Sequence, residues 1–452
     1  MSLKKIKLQL EKTCKGGAGK KKKKNGSSKK KKGGGKKKGG NKKKKGKLLP
    51  GDKLAELKNI SAEEMVAALI ESRLINKYRT RRVFELIGDF NYLGTVQQHT
   101  ESQQTEWKPP IPSMAQLRAA ITEYCILPLG SSTIKSAISN EFDVKSIMLY
   151  GPSGAGKTMM AEAIATELGA LLINISPSRI KAATQFSGKT GPVRLIHMIC
   201  ALAKDPNFAP IVVYIDQCEQ FFGGADSNNA ENGGLAKKNV KNIDKEGTNP
   251  ARFKKDLILY KNALEKHDRI IFIGVTSAPE KGETKEYKAF FDKFLHMPFP
   301  DYPSRLMIWK NAIQNRIQHH TSSHHYHNES SYCRDPIEHL DLSTLAQISQ
   351  GFSAGSICYT VKKTLTARRV QRLDKLPASE AEFLNTLAQQ SIKLNTGSTS
   401  FDVYHDFTAK ITGLNDEKNR VKNEKDSSHG MNNSGNATQA DGKKKSSSKK
   451  KK

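Results

Sequence analysis

The sequence predicts an α/β protein with a parallel, doubly wound sheet, followed by a helical lid and flanked by disordered basic tails. Three observations carry this prediction. From residue 144 onward, short apolar runs alternate with segments of helical periodicity, and a glycine-rich loop follows the first apolar run. Beyond residue 300, apolar residues recur at helical spacing only. Strands separated by helices pair in parallel, and ligands of such sheets bind at the carboxyl ends of the strands.

Four apolar runs are predicted to be the strands of this sheet. Each ends at a turn and is rich in β-branched or aromatic residues, which is typical of strands buried on both faces. They are VKSIMLY (144–150), ALLINIS (170–176), IVVYID (211–216) and RIIFIGVTS (269–277). The intervening helices are predicted at KTMMAEAIATELG, GPVRLIHMICALAK and ARFKKDLILYKNALEKH.

Helices are also predicted on either side of the sheet. Residues 61–78 show helical spacing behind a capping box of Ser61 and Glu64, and residues 113–143 suit two helices broken at LPLGSS. The lid is predicted at YPSRLMIWKNAIQNRI, LSTLAQIS, AGSICYTVKKTLTARRVQRL and SEAEFLNTLAQQS. Two polar inserts, 223–250 and 319–335, are predicted to be surface loops.

These elements divide the chain into five predicted regions. They are a lysine- and glycine-rich tail (1–47), a helical segment with a linker (48–112), the α/β domain (113–300), the lid with C-terminal helices (301–410) and a second basic tail (411–452).

The formal net charge of +32 lies mostly in the two ends of the 452-residue chain. Residues 1–47 contain 22 lysines and one acidic residue, Glu11, and the last ten residues contain seven lysines, which leaves +4 for residues 48–442. Such tracts cannot bury apolar surface, so they are predicted to be disordered. We expect them either to contact polyanions with strong salt dependence or to act as tethers without a fixed partner. Sequence-specific nucleic-acid binding is not expected, because the tracts lack arginine and aromatic residues.

Cysteine usage and hydropathy favour a soluble protein that is cytosolic or bound to a cytosolic structure. The six cysteines are widely scattered and include no C-x-x-C pair, so no disulfide framework is implied. No apolar run approaches the ~18 residues of a membrane-spanning helix, and the N-terminus lacks a secretory apolar region.

The glycine-rich loop GPSGAGKT fits the pattern G-x-x-x-x-G-K-S/T between a predicted strand and a predicted helix. Its glycines let backbone N–H groups turn toward phosphate oxygens, assisted by the start of the helix. The lysine is placed to reach the β- and γ-phosphates, and the threonine to ligate Mg²⁺. The loop therefore predicts an ATP site with Mg²⁺, formed by Gly151, Pro152, Ser153, Gly154, Ala155, Gly156, Lys157 and Thr158.

The ends of the third and fourth strands carry the candidate catalytic residues. Asp216 is predicted to lie on the Mg²⁺ side of the site together with the loop threonine. The next residue is Gln217, which can hydrogen-bond a water molecule but cannot accept its proton. Glu219 is a candidate substitute base if the loop turns it back, and otherwise a surface or structural residue. After the fourth strand, the hydroxyl of Thr276 or Ser277 is placed either to hydrogen-bond the attacking water or the γ-phosphate, or to cap the turn.

These motifs, together with FPDYPSRLMIWKNAI and GFSAGSICYTVKKTL, resemble those of the AAA superfamily of ATPases. Further stretches resemble the IQ and AAA domain-containing proteins, the family of dynein regulatory complex subunit 11. They are LIGDFNYLGTV, PPIPSMAQLRAAITEYCILPLGS, LLINISPSRI and EFLNTLA. The likeness covers residues from about 48 to 410 and is preceded by a lysine-rich tract of the kind seen in that family.

This resemblance implies a subunit of the nexin–dynein regulatory complex, which links doublet microtubules in the axoneme of motile cilia and flagella. It also implies that other subunits of that complex and the doublets themselves are the partners. The resemblance further implies that the ATPase is weak or degenerate.

Three departures from the AAA pattern agree with weak hydrolysis. Gln217 stands in place of a glutamate, Ser277 stands in place of the sensor asparagine, and Ala289 and Phe290 occupy the positions of the arginine fingers. Loss of such an arginine costs ~10³–10⁵ in rate. The residues leave open whether ATP is hydrolysed, and the alternative is an active AAA ATPase that remodels a protein partner.

Two further features carry no predicted function. The IQNRIQHH segment (313–320) lacks the glycine and second arginine of an IQ motif, so calmodulin binding is not expected, and the chain resembles the C-terminal half of a family member. The histidine-rich insert offers possible zinc or nickel ligands, but its spacing fits no structural zinc pattern and a solvated loop is expected. These residues are His319, His320, His324, His325, His327 and Cys333.

Overall fold

A computed structural model describes residues 49–58, 60–91, 110–139, 143–223, 249–322, 339–373, 375–395 and 401–414. The first predicted basic tail, all of the second except residues 411–414, most of the linker and most of both inserts lie outside these residues. Within the described part, no helix combines the length and the apolarity needed to cross a bilayer.

A five-stranded parallel sheet forms the centre of the domain, with strand order β2-β3-β4-β1-β5. The strands are β1 (Ser146–Tyr150), β2 (Leu171–Asn174), β3 (Ile211–Ile215), β4 (Ile270–Thr276) and β5 (Lys293–His296). The predicted parallel α/β fold is thus confirmed, together with its four strands. The fifth strand was not predicted, because its four residues are all half-buried and two of them are polar, so no apolar run marks it.

Alternation along each central strand places helices on both faces of the sheet. Ile147 and Leu149 of β1 join the core cluster that contains α5, whereas Met148 and Tyr150 join the cluster on the opposite face. Because side chains of a strand alternate between faces, a continuous apolar strand builds two cores at once. The helices are α1 (Ala62–Glu71), α2 (Met114–Ile121), α3 (Leu127–Gly130), α4 (Ser132–Ala137), α5 (Lys157–Leu168), α6 (Pro177–Ala182), α7 (Gly191–Lys204), α8 (Glu219–Phe222), α9 (Lys254–Ala263) and α10 (Thr284–Phe290).

The segment in front of the sheet packs directly onto it. Helix α1 begins at the predicted capping box, in which Ser61 and Glu64 exchange side chain-to-backbone hydrogen bonds of 3.1 and 3.3 Å. The prediction that the helix continues to residue 78 is wrong, because Arg73 adopts a positive φ of 55° and ends it. The chain then runs along the sheet, where Leu74 is buried and Ile75 forms an antiparallel bridge with Ile173.

The helix break predicted within LPLGSS (127–132) falls at Ser131, after the first four of these residues. Helix α2 continues through a π-helical turn (Thr122–Ile126) into α3, and the chain leaves the helix at Ser131, which caps α4. Pro128 directly follows the π-helical turn, in which the Leu127 N–H donates to the Thr122 carbonyl five residues earlier. Short helices built around a π turn pack against α5 in the same core.

The lid has its own apolar core, centred on Trp309, whose indole N–H donates to the Ser349 hydroxyl at 3.1 Å. Residues 354–373 form two helices rather than the single predicted one, because Thr366 starts a new helix after α13. The lid helices are α11 (Tyr302–Ser322), α12 (Leu342–Ile348), α13 (Ala354–Thr364), α14 (Ala367–Val370) and α15 (Glu380–Asn395).

The region 301–410 was predicted to end in C-terminal helices, but no segment was assigned to the last one, α16 (Phe401–Thr412), which returns to the sheet. Tyr404 and Phe407 are buried in the core on one face of the sheet, and the Tyr150 hydroxyl lies 2.8 Å from that of Thr408. Residues close to the predicted end of the folded region therefore cover the carboxyl end of β1.

Candidate functional site

The phosphate loop joins β1 to α5 through three glycines with positive φ. The angles are 150° at Gly151, 81° at Gly154 and 99° at Gly156, a region that residues with a side chain rarely adopt. At Gly151 there is also no room, since a Cβ atom would lie 2.1 Å from the carbonyl oxygen of Met297. The backbone therefore follows a path that only glycine permits.

Lys157 opens helix α5 and points into this loop. Its ammonium donates to the carbonyl oxygens of Gly151 and Pro152, both at 2.7 Å, and the residue is only 5% exposed. Burial lowers the pKa of Lys157 to about 8, while Asp216 and Glu219 act in the opposite direction. A buried cation held by two neutral carbonyls is stabilised further by an anion, so the site fits phosphate.

Thr158 and Asp216 lie on the wall of the same cavity. Asp216 follows β3 directly, and its backbone N–H donates to the Ser176 hydroxyl at 2.9 Å. The hydroxyl of Thr158 lies 3.0 Å from that of Tyr214. A hydroxyl and a carboxylate beside a phosphate loop are oxygen donors of the kind that Mg²⁺ prefers, so the residues present fit this ion.

Gln217 faces away from the cavity. Its backbone φ is 47°, and the residue is exposed. Its side-chain oxygen accepts a hydrogen bond of 2.8 Å from the side-chain amide of Gln220. The residue that follows Asp216 therefore makes contacts with the surface turn and is not among those that line the cavity.

Glu219 is more buried than Gln217. Its carboxylate lies against Thr276, and one carboxylate oxygen, Oε2, is buried without a hydrogen-bond partner. Burial raises the pKa of Glu219, and the hydrogen bond with Thr276 partly opposes this. The residue thus sits beneath the end of β4 rather than at the cavity wall.

The two hydroxyls after β4 have separate contacts. Thr276 is buried and accepts a hydrogen bond of 3.1 Å from the Ala278 N–H, so it caps the turn. Ser277 lines the cavity, and its carbonyl accepts from the Tyr404 hydroxyl at 2.8 Å. Of the candidate catalytic residues, the structure places Asp216 and Ser277 at the cavity.

The cavity has a volume of 640 Å³ and extends from the phosphate loop to the segment before α2 and to the lid. Ligand pockets of ~300–1,000 Å³ are typical of small molecules and cofactors. Its far end is apolar with a few polar groups, among them an Arg81–Glu85 ion pair of 2.7 Å. Sequence reasoning missed these residues as part of the site, although the adjoining stretch LIGDFNYLGTV carried part of the family resemblance. The apolar lining residues include Phe84, Leu86, Ile87, Met114, Met159 and Ile308.

The lid contacts the phosphate loop through backbone atoms. The N–H of Gly355, in the first turn of α13, donates to the carbonyl of Gly154 at 2.9 Å. A Cβ atom on Gly154 would lie 2.4 Å from the hydroxyl of Ser353, the residue that caps α13. The contact therefore requires small residues both in the phosphate loop and at the start of α13. The sequence did not reveal this requirement, because the two segments lie about two hundred residues apart.

The histidine-rich insert falls largely outside the described residues. His319 and His320 belong to the last turn of α11 instead of a loop, and the other four predicted candidates are not described. Within the described ranges, no group of three His, Cys, Asp or Glu residues is placed to hold a metal ion.

Comparison with known proteins agrees with this architecture. Residues 147–298 match the family model for AAA, the ATPase family associated with various cellular activities. The chain therefore contains an AAA domain. This AAA domain includes all five strands except the first residue of β1, and it contains the phosphate loop, Asp216 and Ser277.

The sequence similarity to known proteins extends beyond this domain. Dynein regulatory complex protein 11 of Mus musculus is 29% identical over 391 residues, which cover 84% of this chain and 40% of the mouse protein. The proteasome-activating nucleotidase of Pyrococcus abyssi is 24% identical over 358 residues, 75% of this chain and 76% of that protein. Spastin of Drosophila willistoni is 22% identical over 297 residues, 63% of this chain and 33% of that protein.

The resemblance predicted from the motifs, to dynein regulatory complex subunit 11 within the AAA superfamily, is thus confirmed. The chain spans 40% of the length of its mouse relative. Among solved structures, the AAA domain of FIGL-1 in complex with ADP aligns with a TM-score of 0.47 at 16% identity, over 78% of this chain and 96% of that one.

Proposed function

We propose that this protein is an ATP-binding subunit of a dynein regulatory complex that hydrolyses ATP slowly or not at all. The observation that carries the proposal is the contrast between two neighbouring groups. Lys157 is buried inside an intact phosphate loop, whereas Gln217, at the position of the expected catalytic base, is an amide turned to the surface.

ATP binding is supported by the loop and by the cavity behind it. In this proposal, residues 151–158 hold the phosphates, Lys157 neutralises their charge, and the apolar end of the cavity receives the base. Thr158 and Asp216 would hold Mg²⁺, which supplies further charge neutralisation at the phosphates.

Slow hydrolysis is supported by the residues at the positions where AAA enzymes carry a catalytic base and arginine fingers. Gln217 cannot act as a general base, a contribution of ~10²–10⁴ in rate. Phe290, at one arginine-finger position, is fully buried and stacks on Phe222 at a ring distance of 5.1 Å, while Ala289 is exposed and carries no charge. Neither position offers a cation to a neighbouring subunit.

Membership of a dynein regulatory complex is supported by the mouse relative, whose name assigns it to that complex. We place the protein in the axoneme of cilia and flagella, with other subunits of the complex and doublet microtubules as partners. The lysine-rich tails would add contacts to polyanionic surfaces such as microtubules. ATP bound only by the folded state would stabilise the subunit by RT ln(1 + [L]/Kd).

Binding and turnover are tested on the same purified chain. We expect ATP with Mg²⁺ to raise the melting temperature, and Lys157→Ala to abolish that shift while the variant remains folded by circular dichroism. We also expect a rate of phosphate release far below ~1 s⁻¹, the lower end of typical kcat values. Absence of a thermal shift with the wild-type chain would refute ATP binding, and turnover at ordinary enzyme rates that requires Lys157 would refute the structural role.

An active ATPase that remodels a protein partner is the second candidate, and one observation favours it. Glu219 is a buried carboxylate with an unpaired oxygen, two residues beyond the expected base. If nucleotide binding rearranged the turn after β3, this group would be available as a base. Burst-free, steady phosphate release that Glu219→Gln abolishes and Gln217→Ala preserves would establish this alternative.

Localisation tests the assignment to the complex. A tagged copy in a flagellated cell is expected to fractionate with axonemes and to remain there after deletion of residues 1–47. Loss of axonemal localisation on that deletion would instead indicate that the basic tail is the targeting element.

A further inference from the structure

A buried tyrosine hydroxyl touches the hydroxyl of the proposed Mg²⁺ ligand. Tyr214 is the fourth residue of β3, is 5% exposed, and belongs to the apolar core that packs α5 against the sheet. Its hydroxyl lies 3.0 Å from Oγ1 of Thr158, the second residue of α5. Phenylalanine would satisfy the packing of this site equally well, so the polar atom requires its own explanation.

We propose that Tyr214 is a positioning residue for Thr158: the phenol oxygen accepts the Thr158 hydroxyl proton and so directs the lone pairs of Oγ1 toward the nucleotide cavity. The inference rests on the proposed function, because Thr158 matters as a ligand only if ATP and Mg²⁺ bind. It adds to that function a residue that determines how tightly the metal is held.

The chemistry of a hydroxyl group gives the reason. Serine and threonine hydroxyls carry one proton and two lone pairs. A hydroxyl that offers a lone pair to a cation must place its proton on another acceptor, and groups around metal ligands fix ligand orientation in this way. For Thr158, the hydroxyl of Tyr214 is at the right distance to be that acceptor.

Tyr214 must then place its own proton elsewhere, and the structure provides room. Tyr214 and Thr158 also line a second, smaller cavity of 160 Å³, whose polar residues include Glu162 and Asn174. A polar cavity of that size has room for water, to which the phenol can donate.

The opposite arrangement makes the opposite prediction. If Tyr214 donated to Thr158, it would occupy a lone pair of Oγ1 and compete with the metal. Removing the phenol oxygen would then strengthen Mg²⁺ binding instead of weakening it, so the direction of the change decides between the two.

The test is a Mg²⁺ titration at saturating ATP, followed by thermal shift, with Tyr214→Phe. We expect the half-saturating Mg²⁺ concentration to rise about tenfold, the lower end of the effect of removing a partner of a metal ligand. The shift produced by ATP in EDTA should stay at the wild-type value, because the phosphate loop is unchanged.

Two controls isolate the hydroxyl contact. Tyr150→Phe removes a buried tyrosine hydroxyl of the same kind at the end of β1, where it pairs with Thr408 at 2.8 Å, and should leave the Mg²⁺ midpoint unchanged. In a Thr158→Ala background, Tyr214→Phe should have no further effect on the Mg²⁺ dependence.

The inference is overturned by an unchanged or lower midpoint in Tyr214→Phe, by an equal rise in Tyr150→Phe, or by a full additional effect on top of Thr158→Ala. All three would leave ATP binding itself intact. A wild-type chain that shows no ATP-dependent shift, with or without Mg²⁺, would refute the proposed function and this inference with it.

Discussion

The start of α5 and the turn after β3 lie on the same edge of the sheet, yet they differ in how strictly their residues are fixed. In the phosphate loop, Gly151 and Gly154 have no space for a side chain, and Lys157 is held by two carbonyl groups. After β3, Gln217 is exposed, its backbone N–H donates to the Asp216 carboxylate at 2.9 Å, and its side chain accepts from Gln220 in the same turn. One region is built to hold a particular shape, whereas the other tolerates change.

This difference separates binding from hydrolysis in physical terms. Holding a phosphate needs backbone geometry and one cation, both of which the core around α5 maintains. Hydrolysis needs in addition a base aligned to a water molecule, and the Gln217 side chain is instead held by Gln220 on the surface turn. The predictions below probe each side of this contrast.

The largest effect is expected for Gly151→Ala. The new Cβ atom would lie 2.1 Å from the Met297 carbonyl oxygen at a φ of 150°, and such strain costs ~1–3 kcal/mol before the clash is counted. We expect ATP affinity to fall by more than about 100-fold, roughly 3 kcal/mol. The matched control is Gly130→Ala, where a Cβ atom meets nothing within 4 Å. ATP titration and urea unfolding of both variants provide the measurement, and wild-type affinity in Gly151→Ala would show that the loop is not the binding element.

The next effect is the pH dependence of ATP binding. Without ligand, the pKa of Lys157 is lowered to about 8, and bound phosphate, like Asp216 and Glu219 nearby, favours the charged form. Above pH 8, binding must therefore take up a proton, so affinity falls as the pH rises. One linked proton predicts a loss of about tenfold between pH 7 and pH 9.

Arginine at this position does not titrate in that range, so Lys157→Arg is expected to bind with little pH dependence, whatever its absolute affinity. Calorimetry in buffers of different ionisation enthalpy measures the proton uptake directly. A wild-type affinity that is flat from pH 7 to pH 9 would contradict the buried, partly neutral lysine.

A smaller effect is expected when the missing glutamate is restored. In Gln217→Glu the new carboxylate stays on the surface turn, so phosphate release should change by less than about tenfold, although a positioned base contributes ~10²–10⁴. Gln220→Ala, which removes only the partner in the turn, serves as the control. A rise of two orders of magnitude in Gln217→Glu would show that this position faces the terminal phosphate after all.

The smallest effect is expected for Tyr404→Phe. This change removes one hydrogen bond, to the Ser277 carbonyl at 2.8 Å, with a cost of ~1 kcal/mol in unfolding free energy and a change in ATP affinity of less than about threefold. Tyr302→Phe removes a comparable bond to Ser343 in the lid and should not alter ATP affinity. A large loss of affinity in Tyr404→Phe alone would place α16 among the binding elements.

Local patterns in the sequence were enough to predict four of the five strands, the phosphate loop and the cap at Ser61. Each depends on residues within a few positions of one another, which is why period and spacing reveal them. The docking of α16 on the sheet was missed because its anchor residue, Phe407, finds its partners Tyr150 on β1 and Tyr287 on α10, more than a hundred residues away.

The candidate site divides in the same way. The motif itself marked Lys157 and Thr158, but nothing nearby in sequence pairs Gly154 with Gly355 or brings Arg81 to the cavity. The direction of the Gln217 side chain was equally out of reach, because it follows from one backbone φ angle in a turn.

The bond between Gly154 and Gly355 has a thermodynamic consequence for the assembled state. Through this bond, the first turn of α13 lines the same cavity as the phosphate loop. Any neighbour that grips the lid and holds it in this position must strengthen nucleotide binding, and by linkage a bound nucleotide must strengthen the neighbour's grip by the same factor. Such coupling does not require turnover, so in the proposed role nucleotide binding alone would make docking of the subunit depend on the ATP concentration.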